Sequence, residues 1–293
     1  MISVGQNPWD DALADHVTPG SAGRAQLMSA YAGSRGPGVY VDTYYPGTAG
    51  TVLGLNGTPN NPAADLVQAR TIADALGVRV YYIVGLTALT ATHQDWLFVG
   101  SGHDDRFDAV ALGGQDCFGA TFIGMRMTGS FGAAENAGNV GCVDCELSSI
   151  GNLVGTLRNC TLRGANNMPT GAFSFPTLQL IDCTELPPFG LAAGPSIGCG
   201  GAAPTDAQIY VSGYRGRLTF TDIANLTTIV QATFDGADVV FDASCTAAIS
   251  PRLLGDFRLT NAGAVTPDVA AQNQEVADDV LTAAHGAGSW TTV

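Results

Sequence analysis

Four cysteines give the sequence its first candidate chemistry. Cys142 and Cys145 form a Cys-x-x-Cys pair in "CVDCEL". The stretches "LRNCTL" and "LIDCTE" place Cys160 and Cys183 in similar settings, each directly after an Asn or an Asp. Two thiols at this spacing suit a redox pair or half of a tetrahedral zinc site. However, a zinc site needs two more Cys or His ligands at matching spacing, and a thioredoxin-like pair begins a helix, whereas this pair lies in a predicted strand.

The same residues also have a structural interpretation. Aligning "FIGMRM" with "CVDCEL" places Met125 opposite Cys145, and Cys160 and Cys183 follow at steps of 15 and 23 residues. This predicts an interior ladder of Met125, Cys145, Cys160 and Cys183, in which each thiol acts as a small apolar side chain. On a straight strand Cys142 and Cys145 point to opposite faces, which also favours the ladder. We therefore predict no metal site and no cofactor.

The densest ionisable cluster is "GHDDRFD", which begins two residues before Asp104. Two of the three acids Asp104, Asp105 and Asp108 have the residue types of a glycosidase acid and base, and the three together suit cation binding. The alternative is an exposed corner where Arg106 balances its acidic neighbours. We favour the corner and predict no catalytic residues.

Pairs of aromatic residues recur along the chain and suggest a second kind of site. Exposed aromatic rings can form a sugar-binding surface, but many aromatic residues belong to the core, and we expect half of these to be buried. The candidates are Tyr44, Tyr45, Tyr81, Tyr82, Phe173, Phe175, Tyr210 and Tyr214.

Charge excludes several classes of partner. The 293 residues carry a formal net charge of −14, and all 12 basic residues are Arg. Nucleic-acid binding requires clustered cations that neutralise phosphates, so neither nucleic acid nor an anionic membrane surface is expected as a partner. No apolar stretch reaches the ~18 residues of a membrane span. The start, "MISVGQNPWDDALADH", lacks the basic and apolar regions of a secretory signal, which predicts a soluble protein made in the cytoplasm.

The elements that position these residues are mainly β. From residue 78 to 265, short apolar runs alternate with Gly, Asn and Asp, without a helical pattern. Self-similarity at about 20 residues indicates a stacked solenoid, and we predict a right-handed parallel β-helix. The competing fold is a sandwich of hairpins, which needs two-residue turns. Only Asn56-Gly57 and Asp235-Gly236 fit such turns.

Residues 36–77 are predicted to lead into the solenoid. Val39 and Val41 alternate as in a strand, and a loop rich in Gly, Asn and Pro follows. A helix near 62–76 is expected next, with Asn61 as its N-cap and Gly77 as its end. Its apolar stripe consists of Leu66, Ala69, Ala73 and Leu76. This helix would cap the open end of the solenoid.

Short helical segments are predicted at both termini, over 1–35 and 266–293. The stretches "WDDALADH" and "ADDVLTAAH" share an Asp-Asp pair, a Leu and a nearby His. This echo suggests that one helix-turn unit occurs on either side of the β-helix.

Longer stretches resemble a known group of proteins. "GVYVDTYYPGTAGTVLGLNGTPNNPAADLVQARTIADALG" followed by "VRVYYIVG" resembles the opening segment of β-helix proteins of the tail-spike and tail-fibre type in tailed bacteriophages. "FDAVALGGQDCFGATFIGMRMTG" and "GADVVFDASCTAAI" resemble coil sequences of tailed-phage virion proteins, and "WDDALADHVTPGSAG" resembles a helix-turn module found in them. The resemblance covers most of the chain.

The resemblance implies a structural component of a tailed-phage virion, assembled in the host cytoplasm. Its implied form is a homotrimeric tail fibre, tail-spike-like protein or baseplate appendage that takes part in host attachment. The implied partners are further copies of the chain, other virion proteins, and a host surface glycan or receptor. Trp9, Leu13 and His16 in the N-terminal segment are then the candidates for docking on the virion.

Two alternatives remain open at this point. A head fibre or capsid decoration protein would bind capsids instead of host cells. A polysaccharide depolymerase of the wider group would carry carboxylates on the β-helix face or between subunits, and no such pair can be mapped onto this sequence.

Overall fold

In the part that the structure describes, the chain forms a parallel β-solenoid of about seven turns with one helix. The computed structural model describes residues 36–100, 108–133, 138–169, 176–186, 194–201 and 207–268. All pairings between the strands of this part are parallel, which confirms the predicted β-helix and excludes the sandwich of hairpins. The predicted helical segments at 1–35 and beyond Asp268 lie outside the described residues.

The helix α1 spans Leu66–Leu76. The strands are β1 Val39–Asp42, β2 Val80–Val84, β3 Leu86–Ala88, β4 Leu97–Val99, β5 Ala109–Ala111, β6 Thr121–Ile123, β7 Arg126–Ser130, β8 Asn139–Val143, β9 Glu146–Gly151, β10 Val154–Arg158, β11 Thr161–Arg163, β12 Ala165–Asn167, β13 Thr177–Ile181, β14 Thr184–Glu185, β15 Ser196–Gly201, β16 Gln208–Ile223, β17 Ile229–Phe241 and β18 Arg252–Asn261.

The strands stack into three parallel sheets. Sheet 1 contains β1, β2, β4, β6, β8, β10 and β13, and sheet 2 contains β3, β5, β7, β9, β11 and β14. Sheet 3 begins with β12 and β15. The long strand β16 pairs in turn with β13 of sheet 1, β14 of sheet 2 and β15 of sheet 3. Strands β17 and β18 stack on it, with shifts of register at the corners.

The core of the solenoid follows from two-residue alternation within the short strands, which sends every second side chain inward. Along sheet 1 the inward residues are in register from coil to coil, and the rings of Phe98 and Phe122 stack 4.6 Å apart. Full burial of each large side chain contributes about 1.5–3 kcal/mol. The inward column of sheet 1 is Tyr81, Phe98, Phe122, Cys142, Leu157, Leu180, Val211, Ala232 and Leu253, and all of them are buried.

Helix α1 begins later than the sequence suggested. Its N-cap is Asp65, whose side chain accepts a hydrogen bond of 2.8 Å from the Gln68 amide, so the prediction of Asn61 as N-cap is wrong. Asn61 holds the preceding loop, because its Oδ1 accepts from the Thr48 amide at 2.6 Å and its Nδ2 donates to the Leu55 carbonyl at 3.0 Å. The predicted C-terminus is confirmed: Gly77 has φ 64°. The predicted stripe, joined by Ile72, is buried.

The loop and helix α1 close the N-terminal end of sheet 1. The amide of Tyr40 donates to the Gly57 carbonyl at 2.8 Å, and the amide of Ala63 donates to the Tyr40 carbonyl at 2.8 Å. The edge of β1 is therefore paired, which removes an open template for strand addition. No helix in the described part of the chain combines the length and apolar character that a membrane span needs.

Candidate functional site

Met125, Cys145, Cys160 and Cys183 lie one above another inside the solenoid. In the strand registers Arg126 lies beside Glu146, Glu146 beside Thr161, and Thr161 beside Thr184. Each of these residues directly follows one of the four column residues, which therefore stack in the same order. The four side chains are at most 3% exposed. The next coil continues this column with Tyr214, which is fully buried.

The acidic or amide residue before each cysteine marks a corner. Asp144, Asn159 and Asp182 have φ values of 53°, 52° and 52°, and they turn the chain from sheet 1 into sheet 2. Asp, Asn and Gly tolerate this left-handed conformation better than other residues. Gly124 and Gly213 occupy the same position in the coils on either side, with φ 62° and 71°.

The corners are joined by hydrogen bonds from coil to coil. The Asp144 amide donates to the Arg158 carbonyl at 3.0 Å, the Asn159 amide to the Ile181 carbonyl at 2.9 Å, and the Asp182 amide to the Ser212 carbonyl at 2.8 Å. This ladder of backbone bonds fixes the direction in which the following cysteine points. The Asp/Asn-Cys pattern is therefore explained by backbone geometry.

Cys142 and Cys145 both face the interior, with 0% and 2% exposure, so the expectation of opposite faces is wrong. The reason is the positive φ of Asp144, which lies between them and turns the chain before the alternation can place Cys145 outside. The thiol of Cys142 donates to the Met127 sulfur at 3.7 Å. The thiol of Cys145 lies 3.4 Å from the Phe122 carbonyl, to which it donates.

The environment of the thiols opposes their ionisation at several positions. Burial raises the pKa of Cys117 to about 12 and that of Cys199 well above its usual range. A hydrogen bond with Cys145 raises the pKa of Cys160, and burial raises it further. The thiolate is the form that reacts and binds metal. Within the described residues, no three His, Cys, Asp or Glu side chains are arranged to hold a metal ion.

Asp108 occupies the column position of the coil before Met125. It is 1% exposed, and its Oδ1 accepts a hydrogen bond of 2.8 Å from the Gly85 amide. The interpretation of this acid as part of an exposed corner is therefore wrong, because the carboxylate satisfies a backbone donor inside the solenoid. Asp104, Asp105 and Arg106 lie outside the described residues, as do Trp9, Leu13 and His16.

The candidate aromatic residues separate into buried and exposed groups. Tyr81 and Tyr214 are fully buried and Tyr82 is 6% exposed, so these three are core residues. Tyr44 and Tyr45 are 45% and 82% exposed and lie in the loop after β1. Phe173 and Phe175 lie outside the described residues. Tyr210 is half-buried on the outer face of sheet 1, where it lines a groove.

This groove, of about 450 Å³, crosses the last four strands of sheet 1. Two rows of outward side chains form its floor, each in register from coil to coil. One row has two amides, an aromatic ring and a cation, and the other has two hydroxyl groups between two aliphatic side chains. The first row is Gln179, Tyr210, Gln231 and Arg252, and the second is Ile181, Ser212, Thr233 and Leu254.

The charge of sheet 1 differs from that of the whole chain. From β2 to the sheet 1 part of β18, its strands contain no Asp or Glu, although the chain has 26 acidic residues. They contain two cations, Arg158 and Arg252, and neither forms an ion pair with the residues that the structure describes. Arg215 and Arg258, beyond the corner, are instead paired with Asp235 and Asp238, each at 2.6 Å.

Of the groove residues, only Tyr210 was singled out from the sequence. The missed signal is positional: Gln179 and Tyr210 each lie four residues before a member of the cysteine column, Cys183 and Tyr214. Aligning the coils on that column would have placed both side chains on the same outward row.

Comparison with protein-family models, curated proteins and solved structures finds no match to this chain.

Proposed function

We propose that this protein is a structural component of a tailed-phage virion, a homotrimeric appendage that contributes to host attachment. The proposal is for a binding and structural protein rather than an enzyme. The observation that carries it is the solenoid, whose sheet 1 has no acidic residue from β2 to the sheet 1 part of β18 and presents amide, hydroxyl and aromatic side chains in an open groove. A stack of coils gives such a protein length and a continuous side surface. The sequence resemblance to β-helix virion proteins supports the same role.

The assembled form is proposed to be a trimer of parallel copies that associate side by side. In a cyclic trimer each copy contacts one neighbour through one lateral patch and the other neighbour through a second, which closes the ring and leaves the ends of the solenoid free for other contacts. Light scattering on the purified full chain is expected to give three times the monomer mass. A monomer at micromolar concentration would contradict this part of the proposal.

Incorporation into particles tests the virion assignment. Mass spectrometry of purified virions should detect the chain, and the double variant Trp9→Ala/Leu13→Ala should reduce its incorporation, because these side chains are the proposed docking residues. The matched control is Leu226→Ala, which removes an apolar side chain that is 71% exposed on the solenoid. Absence of the wild-type chain from purified particles would overturn the proposal.

Host attachment needs a separate measurement. Added in excess, the purified protein is expected to slow adsorption of the phage to its host, because it occupies the same surface receptor. Unchanged adsorption together with clear incorporation into particles would exclude the attachment role and leave a purely structural one.

A further inference from the structure

The outward face of sheet 1 is apolar over its first coils. Strands β2, β4, β6 and β8 are in register, so their outward side chains form two rows along the axis of the solenoid. The rows are rich in half-buried aliphatic side chains and contain no charged group. The first row is Val80, Leu97, Thr121 and Gly141, and the second is Tyr82, Val99, Ile123 and Val143. We call these two rows the aliphatic face.

Charged residues border the aliphatic face without entering it. They are Asp42 at the end of β1, Arg79 before β2, Asp95 before β4, Asp144 after β8 and Arg158 on β10. Arg79 and Asp95 lie 3.6 Å apart and form an ion pair. Asp95 and Asp144 have φ values of 58° and 53°, so they lie where the chain turns at the sheet margin. An apolar centre with a polar rim is the usual anatomy of a protein contact surface.

The other lateral surfaces of the solenoid are charged. On sheet 2, the outward side chains of Arg163 and Glu146 pair at 3.7 Å, and Arg215 follows on the same sheet. Beyond sheet 1, strands β17 and β18 carry Asp238 and Arg258, which pair at 2.6 Å. Burial of such groups against another molecule removes water from charges, which costs free energy. Of the lateral surfaces that the structure describes, the aliphatic face therefore has the lowest desolvation cost.

A second copy of the chain is the occupant that fits this face. Each copy carries a formal net charge of −14, so two copies repel each other unless their contact excludes the acids. The aliphatic face excludes them over four strands, and burial of its side chains provides the attraction. Rows that run along the axis also match each other coil by coil when parallel copies lie side by side. A glycan is disfavoured, because these side chains offer few hydrogen-bond donors or acceptors.

We propose that the aliphatic face forms the contact between copies in the side-by-side trimer. Val80 and Leu97 in the first row would face one neighbour, and Val99, Ile123 and Val143 in the second row would face the other. The inference rests on the proposed trimeric form, and it adds which surface of the chain is buried. The polar groove over the last four strands of sheet 1 would then stay open to solvent.

A charge placed on the aliphatic face tests the contact. In the purified full chain, Ile123→Asp should raise at least ~10-fold the protein concentration at which half of the chains are trimeric, because a carboxylate would be buried without a partner. Light scattering over a dilution series measures this concentration. Ile123→Thr keeps a β-branched side chain and should raise the same concentration by a smaller factor. Circular dichroism shows whether each variant is folded.

The matched control is Thr128→Asp. It places the same charge on the outward face of sheet 2, on the strand that follows β6 in the chain. Thr128 is β-branched and half-buried, as Ile123 is. The control should leave trimer formation unchanged.

Two results would overturn the inference alone. One is a trimer that Ile123→Asp leaves intact even if the variant unfolds at a lower temperature, which would show that another part of the same chain covers the face. The other is equal dissociation of the Ile123→Asp and Thr128→Asp trimers. If Ile123→Asp does not fold, an unchanged trimer in Ile123→Thr overturns the inference. A monomeric wild-type chain would instead contradict the trimer and this contact with it, whereas the virion assignment depends on the presence of the chain in particles.

Discussion

At the corners between sheets 1 and 2, single residues have to adopt positive φ so that the next side chain points inward. Asp144, Asn159 and Asp182 adopt this conformation at a cost in conformational free energy that Gly would avoid. Stacking restricts the choice further, because a Cβ at Gly213 would lie 2.6 Å from Asp182 Oδ1 in the neighbouring coil. The identity of one corner residue therefore limits that of the next.

A substitution at Asn159 measures this requirement. Asn159→Gly should keep or slightly raise the free energy of unfolding, whereas Asn159→Ala should lower it by about 1 kcal/mol, because Ala tolerates φ 52° poorly. Chemical denaturation followed by circular dichroism gives both values.

The neighbouring Arg158→Ala is the control for Asn159. Arg158 is exposed and has no positive φ, so its replacement should change stability by less than ~0.5 kcal/mol. Equal losses for the two alanine variants would show that the corner has no special backbone requirement.

The burial of His93 predicts that the stability of the first coils depends on pH. It is 1% exposed, its Nδ1 donates to the Ala91 carbonyl at 2.6 Å, and its ring packs on Tyr81, Trp96 and Phe98 at 5.2–5.7 Å. Burial lowers the pKa of His93. Below about pH 6.5, the pKa of His in an unfolded chain, the unfolded state binds a proton that the folded state excludes.

The melting temperature should therefore fall between pH 7.5 and pH 5.0, and His93→Phe should reduce that fall. The control is Phe98→Leu, which disturbs the same cluster without removing a titrating group and should keep the wild-type pH dependence. Thermal unfolding at the two pH values measures each protein, and an unchanged fall in His93→Phe would exclude His93 as the cause.

At the scale of the element, helix α1 depends on its caps as well as on its buried stripe. Eleven residues are too few for a stable isolated helix in water, so packing against the first coil has to stabilise it. The Asp65 side chain supplies one of the few bonds available to the first-turn amides.

Asp65→Ala is expected to lower the free energy of unfolding by about 1 kcal/mol through loss of the N-cap bond. Val67→Ala is the matched control, since Val67 lies in the first turn with 60% exposure. It should have little effect. A loss for Asp65→Ala no larger than that for Val67→Ala would contradict the role of Asp65 as the cap.

The sequence predicted the end of this helix but not its start. Gly77 and the stripe from Leu66 to Leu76 are local signals, and the structure agrees with both. The sequence pattern placed the start at Asn61-Pro62, whereas the helix begins after Asp65. The choice between them depends on Ala63, which pairs with β1 and so cannot enter the helix. That pairing is a tertiary contact that no local pattern contains.

At the scale of the whole molecule, repetition made the fold predictable. Strand-and-turn self-similarity was enough to predict the solenoid, and the stacking of Cys145, Cys160 and Cys183 followed from one alignment. The groove was not predicted, because its residues come together only when the exact register of four coils is known. The prediction that Cys142 and Cys145 face opposite ways failed because the inward direction of Cys145 depends on the backbone conformation of Asp144.

The seven cysteines report on the integrity of the whole solenoid. All are free and buried, and they extend from Cys117 to Cys245. Ellman's reagent is therefore expected to titrate fewer than one thiol in the native protein and seven after denaturation. Several rapidly reacting native thiols would contradict the burial of the column.

The spacing of the column residues shows where the coils differ in length, and so where such a chain can gain residues during evolution. One coil takes 15 residues from Cys145 to Cys160, 23 from Cys160 to Cys183 and 31 from Cys183 to Tyr214. The short segments from sheet 1 through the corner to sheet 2 keep the same length throughout, so the extra residues fall elsewhere in each coil. New sequence can therefore be inserted away from the corners at a small entropic cost and without altering the groove. The solenoid therefore tolerates insertions between its corners, and it can serve as a scaffold for grafted loops.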